Sequence, residues 1–497
     1  LGMPPGTAGG GSAFGGGDPT TVGTQVVGNR GRGAMPLLDG MLDSGDLSSS
    51  MAGSGMTPGT AGGGSASGGG DPTTTGRAQV VGNRQRGRIP LMGGSYDFAN
   101  DGFRWGTEDD EITFGVRAVQ QLDARIYANS NMADTASGFY NPRTRFYFEG
   151  NLTRPISYEF SFQETYGTPN LLDSYINYRF SDALQLRLGR YKTPFTYEWY
   201  RVHIWHMPLP ERSLFVTNYE SNRRFGFMAW GSAFQNRLEY AVGPFNSQRN
   251  SFVTYSSHQD ILAFVNFKPF DPWTGFLLQN LQVGGSVDAG IVNNPLSPAV
   301  LHTSSPVDSA TLAPGQPSVP FLAFNNGVFE RGTRALWELH MAYYYQGLSL
   351  LGAWGSGFQD YAFGTSGSAP VRVPISGYQV TAAYILTGET IRDRTLVDPL
   401  RPFDLRPGRF GLGAWEVAAR FSELELGRQV FTGGLANPNL WTNEAKMVDV
   451  GLNWYINKAI KVYFDWEHAM FGSPVFYNTG RFQKSNDLYW MRAQVVF

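Results

Sequence analysis

The sequence predicts an all-β fold: a transmembrane antiparallel β-barrel of about sixteen strands that follows a glycine-rich, repeated N-terminal segment. Three observations predict it. Polar and apolar residues alternate from about residue 111 onward, short and long connections alternate along the chain, and the last residue is the aromatic Phe497. A period of two is typical of a β-strand, because successive side chains point to opposite faces.

The overall composition excludes several classes of protein. The 497 residues carry 39 basic and 41 acidic side chains and no cysteine. Because the charges nearly balance, we expect no nucleic-acid partner. The lack of cysteine excludes disulfides, thiolate metal sites and cysteine nucleophiles, and it is typical of compartments in which thiols oxidise. No run of about 18 apolar residues occurs, so we expect no transmembrane helix, whereas the lipid face of a barrel needs only every second residue.

Residues 1–95 differ in texture from the rest of the chain. They contain 28 glycines and a single aromatic residue, Phe14, and the stretch 5–23 returns almost unchanged at 58–76. Such a glycine-, serine- and threonine-rich sequence cannot bury a core of its own. We interpret it as a flexible periplasmic spacer. The alternative is that its two QVVGNR units attach to a periplasmic or cell-wall partner.

The predicted boundaries follow from this change in texture. We place the low-complexity segment at 1–95, a linker at 96–110 and the barrel at 111–497. The first three residues give no sign of a signal peptide, so we expect the numbering to begin at a processed, mature terminus.

The stretch 111–129, EITFGVRAVQQLDARIYAN, shows the alternation well. Arg117 and Arg125 fall on one face, and Phe114 and Ile126 fall on the other. A soluble β-sandwich would also alternate. Aromatic residues near the predicted strand ends favour a barrel in lipid instead, because such barrels carry aromatic girdles at both interfaces.

The predicted connections follow the length rule of outer-membrane barrels, which have short periplasmic turns and long outer loops. Every second connection is short, as at 181–182 and 346–347, and the long ones between are 193–222, 292–333, 359–374 and 469–487. The connection 388–412 breaks the rule, since it is long on the side where a short turn is expected.

The final stretch, LYWMRAQVVF (488–497), sets the register of the last strand. An arginine on the lipid face near mid-membrane costs about 2–4 kcal/mol, so Arg492 and Gln494 must face the lumen. Phe497 then lies on the outward face at the periplasmic edge. A terminal aromatic of this kind resembles the insertion signal of bacterial outer-membrane barrels, which implies the barrel-assembly machinery as a partner.

The same alternation assigns a set of basic side chains to the lumen. About as many carboxylates fall on the same face, so the lining is predicted to be balanced in charge. The lumen-facing arginine candidates are Arg117, Arg125, Arg143, Arg145, Arg179, Arg187 and Arg492.

Several stretches resemble the phosphate-selective porin O/P family of outer-membrane barrels. The first is LRLGRYKTPFTYE (186–198), with the pattern Gly189, Lys192, Pro194, Phe195. Others follow in family order: PERSL (210–214), RRFGFM (223–228), YILTGE (384–389), LRPF (400–403), GAWEVAARFS (413–422), VGLNWYIN (450–457) and RAQVVF (492–497). The segment 1–95 lies outside the resemblance.

The resemblance implies a homotrimer of sixteen-stranded barrels in the outer membrane of a Gram-negative-type bacterium, in contact with the lipid bilayer and lipopolysaccharide. It also implies that a long third loop, 193–222, folds inward and narrows the pore. The expected function is passive diffusion of small hydrophilic solutes and ions, with a preference for anions such as phosphate left open.

The inward loop carries the candidate anion site. Fixed charges in a narrow pore set ion selectivity, and the candidates for the constriction are Lys192, Arg201, Arg212, Arg223 and Arg224. Phosphate-specialised members crowd their pores with arginine and lysine, whereas here Glu198, Glu211 and Glu220 accompany the basic residues. The alternative interpretation is therefore that the arginines pair with these glutamates and hold the loop folded, and this alternative is slightly favoured.

No other chemistry is expected. His203 and His206 have a spacing found in some metal sites, but no cysteine or third histidine accompanies them, so we expect no metal site. No nucleophile elbow and no phosphate-binding loop is present, so we expect neither an enzyme nor a cofactor. Two function classes remain: a diffusion channel, and a structural outer-membrane anchor whose N-terminal repeats tie the membrane to the cell wall or a neighbouring protein.

Overall fold

A computed structural model describes residues 88–91, 94–97, 102–107, 109, 111–128, 136–250, 252–303, 319–364, 368–478 and 480–497. Most of the predicted low-complexity segment 1–95 lies outside these residues, and so do its two repeats. Their role stays a prediction.

Strands make up most of the described chain. They are β1 (Arg88–Leu91), β2 (Gly94–Asp97), β3 (Gly102–Gly106), β4 (Thr113–Tyr127), β5 (Gly138–Thr153), β6 (Ile156–Thr165), β7 (Thr168–Arg179), β8 (Gln185–Lys192), β9 (Arg223–Ala233), β10 (Leu238–Asn246), β11 (Gln259–Phe267), β12 (Asn280–Asn293), β13 (Leu301–His302), β14 (Pro320–Leu322), β15 (Val328–Tyr345), β16 (Leu348–Phe363), β17 (Val371–Ile385), β18 (Ala414–Leu426), β19 (Glu444–Tyr455), β20 (Ile460–Asn478) and β21 (Arg481–Val496).

Helices are few and short in the described residues. They are α1 (Tyr197–Tyr200), a 3-10 turn (Ile204–His206), α2 (Leu214–Tyr219) and α3 (Gln429–Thr432). None of these is long and apolar enough to cross a membrane.

Sixteen of the strands, β4–β12 and β15–β21, form a closed antiparallel barrel. Each pairs with its neighbour along the chain, and β21 pairs with β4 from Leu488 opposite Tyr127 to Val496 opposite Val119. Closure leaves the barrel without a free edge. The predicted all-β transmembrane barrel of about sixteen strands is confirmed.

The two faces of the strands differ as the alternation predicts. On β21, Arg492 is 0% exposed, whereas its neighbour Met491 is 44% exposed on the outer surface. On β4, Asp123 and Arg125 are buried inside, and Leu122 and Ile126 are exposed outside. The polar interior and the apolar exterior suit a barrel whose outer surface meets hydrocarbon.

Some predicted loops are strand instead. β20 and β21 continue through most of 469–487 and meet at a tight turn, and β16 and β17 extend into 359–374. Alternation is lost where strands leave the membrane, because the outward face no longer has to be apolar there. The backbone hydrogen-bond ladder nevertheless continues, so these strands are longer than the hydrophobic pattern indicates.

The predicted linker 96–110 also contains a strand. β3 pairs with the start of β4, with Phe103 opposite Val116, and the rings of Trp105 and Phe114 stack 6.0 Å apart. This part of the chain therefore extends the barrel sheet at the base of β4.

Candidate functional site

The long connection between β8 and β9, residues 193–222, is called the inward segment below. Its two ends are tied together, because the Thr193 amide donates to the Asn222 carbonyl at 3.1 Å. Asn222 has a φ of +57°, a conformation that asparagine tolerates better than most residues. Inside the segment, the Ser213 hydroxyl caps α2 by accepting a hydrogen bond from the Val216 amide at 3.2 Å.

Aromatic side chains of α2 pack the inward segment against the barrel wall at β15, β16 and β17. A side-chain carbon placed at Gly355 would lie 2.6 Å from Phe215, and one placed at Gly377 would also lie 2.6 Å from that ring. The two wall glycines therefore make room for Phe215. The Tyr219 hydroxyl donates to the carbonyls of Trp337 and Ser356 at 2.8 and 2.5 Å. The segment thus crosses from β8 and β9 to β15, β16 and β17.

The middle of the segment is held by its backbone carbonyls. They accept hydrogen bonds from polar wall side chains on β19, β20 and β21, so these carbonyls are satisfied away from regular secondary structure. The side chains of Asn453, Lys461, Gln494 and Arg492 donate to the carbonyls of Pro208, Met207, Trp205 and Pro210, at 2.7, 2.8, 3.0 and 2.5 Å respectively.

Two of the segment's glutamates bind arginines of the wall. Glu211 lies 2.6 Å from Arg143 and 2.8 Å from Arg492. Glu198 accepts from the Ser213 amide and hydroxyl at 2.7 and 2.8 Å and lies 3.9 Å from Arg420. The ion pairs seen at Glu198 and Glu211 are to arginines of the wall, and the expected pairing of the segment's own arginines with Glu198, Glu211 and Glu220 stays a prediction. Parity along the strands predicts which residues face the lumen, but not which of them the segment reaches.

The candidates Arg201 and Arg224 are each held between two carboxylates. Arg201 lies 2.9 Å from Glu239 and 2.7 Å from Asp393. Arg224 lies 2.7 Å from Asp260 and 2.6 Å from Asp288. The buried Arg334 pairs with the same two carboxylates.

A cavity lies between the inward segment and the wall strands β5–β9. Three of the five constriction candidates line it, namely Lys192, Arg212 and Arg223, whereas Arg201 and Arg224 do not belong to its lining. Arg145 and Arg187, predicted as lumen residues, complete its basic set, against the two carboxylates Glu159 and Asp173. The remaining lining residues are Tyr147, Tyr175, Tyr191, Tyr200, His203, Ile204 and Trp205.

The basic side chains of this cavity contact aromatic rings, backbone carbonyls and a carboxylate. The Arg187 guanidinium lies 4.0 Å from the centre of the Tyr175 ring and 4.8 Å from that of Trp230. Arg212 donates to backbone carbonyls of the inward segment, including that of Val202 at 3.0 Å. Arg223 pairs with Asp173 at 3.0 Å.

The remaining lumen candidates lie on the inner face as well. Arg117 pairs with Glu149 at 3.4 Å, Arg125 with Asp123 at 2.7 Å, and Arg492 also with Asp123 at 2.6 Å. Arg179 is half-buried near the turn that follows β7, where it binds Asp182.

Sequence reasoning missed a second segment that enters the lumen, residues 386–413 between β17 and β18. Asp393 binds Arg201, and Arg394 binds Glu416 at 2.6 Å and donates to the His206 carbonyl at 3.2 Å. The signal was present, because this is the connection that breaks the length rule. Its length indicated an exception but not the residues that would reach inward.

The two histidines pack within the inward segment. Their rings lie 5.2 Å apart, and the His203 ring stacks on Trp205 at 4.5 Å. Burial, together with the nearby Lys192, holds the pKa of His203 well below its usual range. Burial and the nearby Arg394 do the same for the pKa of His206. Both imidazoles are therefore neutral at ordinary pH.

Phe497 lies where β21 closes onto β4. Its amide donates to the Ala118 carbonyl at 2.9 Å, and its carbonyl accepts from the Ala118 amide at 2.5 Å, while its ring is 42% exposed on the outer face. The predicted assembly signal therefore stands at the seam of the barrel.

A closed barrel with an apolar outer surface, a polar interior and an inward-folded loop defines the class of outer-membrane β-barrels. The chain belongs to the family "Phosphate-selective porin O and P", which it matches over residues 114–258 and 324–470. The resemblance inferred from the motifs is confirmed, and so is the outer-membrane location.

Individual relatives are more distant. Porin O of Pseudomonas aeruginosa is 28% identical over 90 residues, which cover 18% of this chain. The match spans only 20% of that relative's length. Among solved structures, OmpF of Salmonella typhi in complex with daunomycin has 12% identity and a TM-score of 0.47, with 79% of this chain and 99% of that chain covered. The outer-membrane channel DcaP of Acinetobacter baumannii has 8% identity and a TM-score of 0.44, with 77% and 97% covered.

Proposed function

We propose that this protein is a porin: a passive diffusion channel for small hydrophilic solutes and ions, with a preference for anions set at the cavity beside the inward segment. The single observation that carries the proposal is the charge of that cavity. Arg145, Arg187, Lys192, Arg212 and Arg223 line it against Glu159 and Asp173, although the whole chain is nearly neutral.

This excess of basic groups acts where the pore is narrow. Fixed charges act more strongly on an ion in a confined, partly dehydrated site than in bulk water, because the effective dielectric constant is lower there. Selectivity filters that are built from rings of charged side chains work in this way. Phosphate carries several acceptor oxygens that arginine can bind in a bidentate manner, so inorganic phosphate is a suitable probe.

We further propose that the barrels assemble as a homotrimer that contacts lipid and lipopolysaccharide. Family membership supports this assembly. The exposed aromatic and aliphatic belt of each barrel, for example Ile126 and Phe160, supplies apolar surface for lipid and for neighbouring barrels. The barrel-assembly machinery is the proposed partner of the seam at Phe497.

The test is the reversal potential of the refolded protein in a planar bilayer under a potassium chloride gradient. The native channel is expected to favour chloride. The variant Arg187→Gln/Lys192→Gln is expected to lose most of this preference at nearly constant conductance. Arg179→Gln is the matched control, since Arg179 sits near a turn and binds Asp182, and its selectivity should be native.

Two results would contradict the proposal in different ways. A reversal potential unchanged in the double variant would leave a channel without an anion filter at this cavity. A correctly folded protein that passes no current would refute the channel and favour the structural anchor. Addition of inorganic phosphate distinguishes a phosphate-binding filter from a general anion filter. Low concentrations of phosphate should reduce the chloride current only if the filter binds phosphate.

A further inference from the structure

Three carboxylates meet on the inner face of β19 and β20, outside the lining of the basic cavity. Asp449 lies on β19, and Asp465 and Glu467 lie two residues apart on the inner face of β20, with Asp449 directly opposite Glu467. One carboxylate oxygen from each lies within 4.8 Å of the other two. Like charges directly opposite each other on neighbouring strands are destabilising, so this arrangement requires compensation.

The carboxylate of Asp465 has neither a hydrogen-bond nor an ion-pair partner among the described residues. Both of its oxygens are buried and accept no hydrogen bond from any residue that the structure describes, and the same holds for one oxygen of Glu467 and one of Asp449. Asp465 is only 7% exposed and Glu467 only 3%. A buried polar atom without a partner carries a large desolvation cost, and the three carboxylates that carry these atoms lie together.

Of the three carboxylates, the surrounding arginines pair only with Asp449, because their other contacts are to carboxylates outside the cluster. Four arginines and four carboxylates are joined in pairs around it: Arg125 and Arg492 to Asp123, Arg492 and Arg143 to Glu211, and Arg420 to Asp449 and to Glu198. This leaves Asp465 and Glu467 with no ion pair in the described part of the chain. When both are ionised, these two carboxylates add two negative charges that no arginine pairs in the described part of the chain.

We propose that Asp449, Asp465 and Glu467 bind one divalent cation of the calcium type in the lumen wall. Carboxylate oxygens are the ligands preferred by such hard cations, which tolerate flexible coordination and can retain water molecules. A doubly charged ion balances the two carboxylates that the arginine network leaves over. The site requires no ligand beyond the chain's own residues and water.

Two further features shape the site. A side-chain carbon at Gly451 would lie 2.9 Å from Oδ1 of Asp465, so the glycine keeps the space beside this oxygen open. The same carbon would lie 2.9 Å from Leu209 of the inward segment. Leu209 therefore covers the cluster from the lumen, and the bound cation would join β19, β20 and the part of the segment near Glu211 into one unit.

The experiment uses full-length protein refolded in detergent without lipopolysaccharide, which itself binds divalent cations, and freed of metal with a chelator. Terbium replaces calcium as the probe. Trp490 lies directly opposite Asp465 in the strand pairing, so its excitation should sensitise terbium emission. We expect one saturable site per barrel from which calcium displaces terbium.

The variant Asp465→Asn/Glu467→Gln is expected to weaken terbium and calcium binding by roughly tenfold or more, because two of three charged ligands are lost. Gly451→Ala, which retains all three carboxylates, should also weaken binding by narrowing the site. Asp271→Asn, in an exposed periplasmic-side connection, is the control and should bind as the native protein does. Trp490→Phe should lose the emission but keep calcium binding, as measured by calorimetry.

Native affinity in the double variant would overturn the proposal, and so would the absence of saturable binding to the native protein. The latter result would mean that the carboxylates share protons instead. Each folded variant is verified by its altered mobility on a gel before and after heating. If the double variant does not assemble, Glu467→Gln and Gly451→Ala each decide the question alone, because each predicts weaker binding in an otherwise intact barrel.

Discussion

The lumen differs in charge on its two sides. Beside β5–β9, the cavity at the inward segment is lined by five basic residues and two carboxylates. Beside β19 and β20, Asp449, Asp465 and Glu467 form an acidic cluster in which only Asp449 has an arginine partner among the described residues. A chain with 39 basic and 41 acidic residues therefore contains one region of the lumen rich in basic side chains and another rich in carboxyl groups.

The inward segment lies between these two regions of the lumen. Towards the basic side it presents Arg212, and towards β21 it presents Glu211, which is held by Arg143 and Arg492. Because charges separated by more than about 8–10 Å are largely screened by salt in open solution, each side can act on ions in its own vicinity. The difference teaches that the overall charge balance of a chain gives no measure of the local charge that an ion meets in the lumen.

The largest expected effect is on closure of the barrel, because both regions of the lumen form only when the barrel is closed. Deletion of Phe497 removes both hydrogen bonds to Ala118 and the exposed ring at the seam. We expect most of the folded protein to disappear from the outer membrane, measured as the heat-modifiable band in membrane fractions.

The control for this deletion is Phe482→Ala, which removes another exposed aromatic ring from β21 far from the seam. It should assemble at native levels. Native surface levels of the deletion variant would show that the terminal aromatic is dispensable for assembly.

The next effect concerns the segment that divides the lumen. Glu211→Gln removes a buried carboxylate that two arginines share, and breaking a buried ion pair typically costs about 3–5 kcal/mol. We expect a lower temperature of barrel unfolding and larger, flickering single-channel currents, because the segment loosens.

Glu425→Gln, at an exposed position of β18, is the matched control and should leave both quantities unchanged. Quiet, native currents in the Glu211 variant would mean that the carbonyl contacts of residues 205–210 suffice to hold the segment, and the boundary between the two sides would not depend on this charge.

A smaller effect separates the two groups of constriction candidates. Arg212→Gln/Arg223→Gln removes charge from the cavity lining, so it should shift the reversal potential towards cations. Arg201→Gln/Arg224→Gln removes residues outside that lining and leaves carboxylates such as Asp288 short of a partner, so it should mainly raise current noise.

The quadruple variant of Arg201, Arg212, Arg223 and Arg224 should show both changes at once, because the pairs act at different places. Single-channel recording in a salt gradient measures both quantities. If the second pair shifted selectivity more than the first, the basic cavity would not be the filter.

The smallest expected effect is that of pH on the histidines. The pKa values of His203 and His206 are held well below their usual range by burial and nearby positive charges, so neither is expected to take up a proton as the pH falls through the usual range near 6.5. The reversal potential of His203→Gln/His206→Gln should therefore follow that of the native channel across this range.

The stability of the protein does respond. The unfolded chain takes up protons on these histidines below about pH 6.5, whereas the folded protein does not. The free energy of unfolding is therefore highest above that pH and decreases as the pH falls below it. A thermal unfolding series should show a shallower decline for the double variant. A selectivity step near this pH that vanishes in the variant would contradict the neutral assignment.

Much of the fold could be predicted from the sequence because strand alternation is a local property. The inward positions of Arg125, Arg143 and Arg492 follow from a period of two and from the cost of arginine in lipid. Strand ends beyond the membrane could not be predicted in the same way, as β20 and β21 show, because water imposes no alternation there.

The candidate site was predicted only in part. Lys192, Arg212 and Arg223 line the cavity, but Arg145 and Arg187 join them from other strands, and Asp393 and Arg394 enter from a connection whose path no pattern revealed. Which inward residues meet depends on the register of strands around the closed barrel and on the route of the inward segment.

The sequence by itself determined the alternation, the number of strands, the inner and outer faces and the family. Only the tertiary structure decided the partners: Arg492 meets Asp123 across 369 residues of chain, and Asp465 meets none among the described residues. The physical reason is that side-chain direction along a strand repeats every two residues, whereas the separation of charges on different strands is set by barrel closure, which is a property of the whole chain.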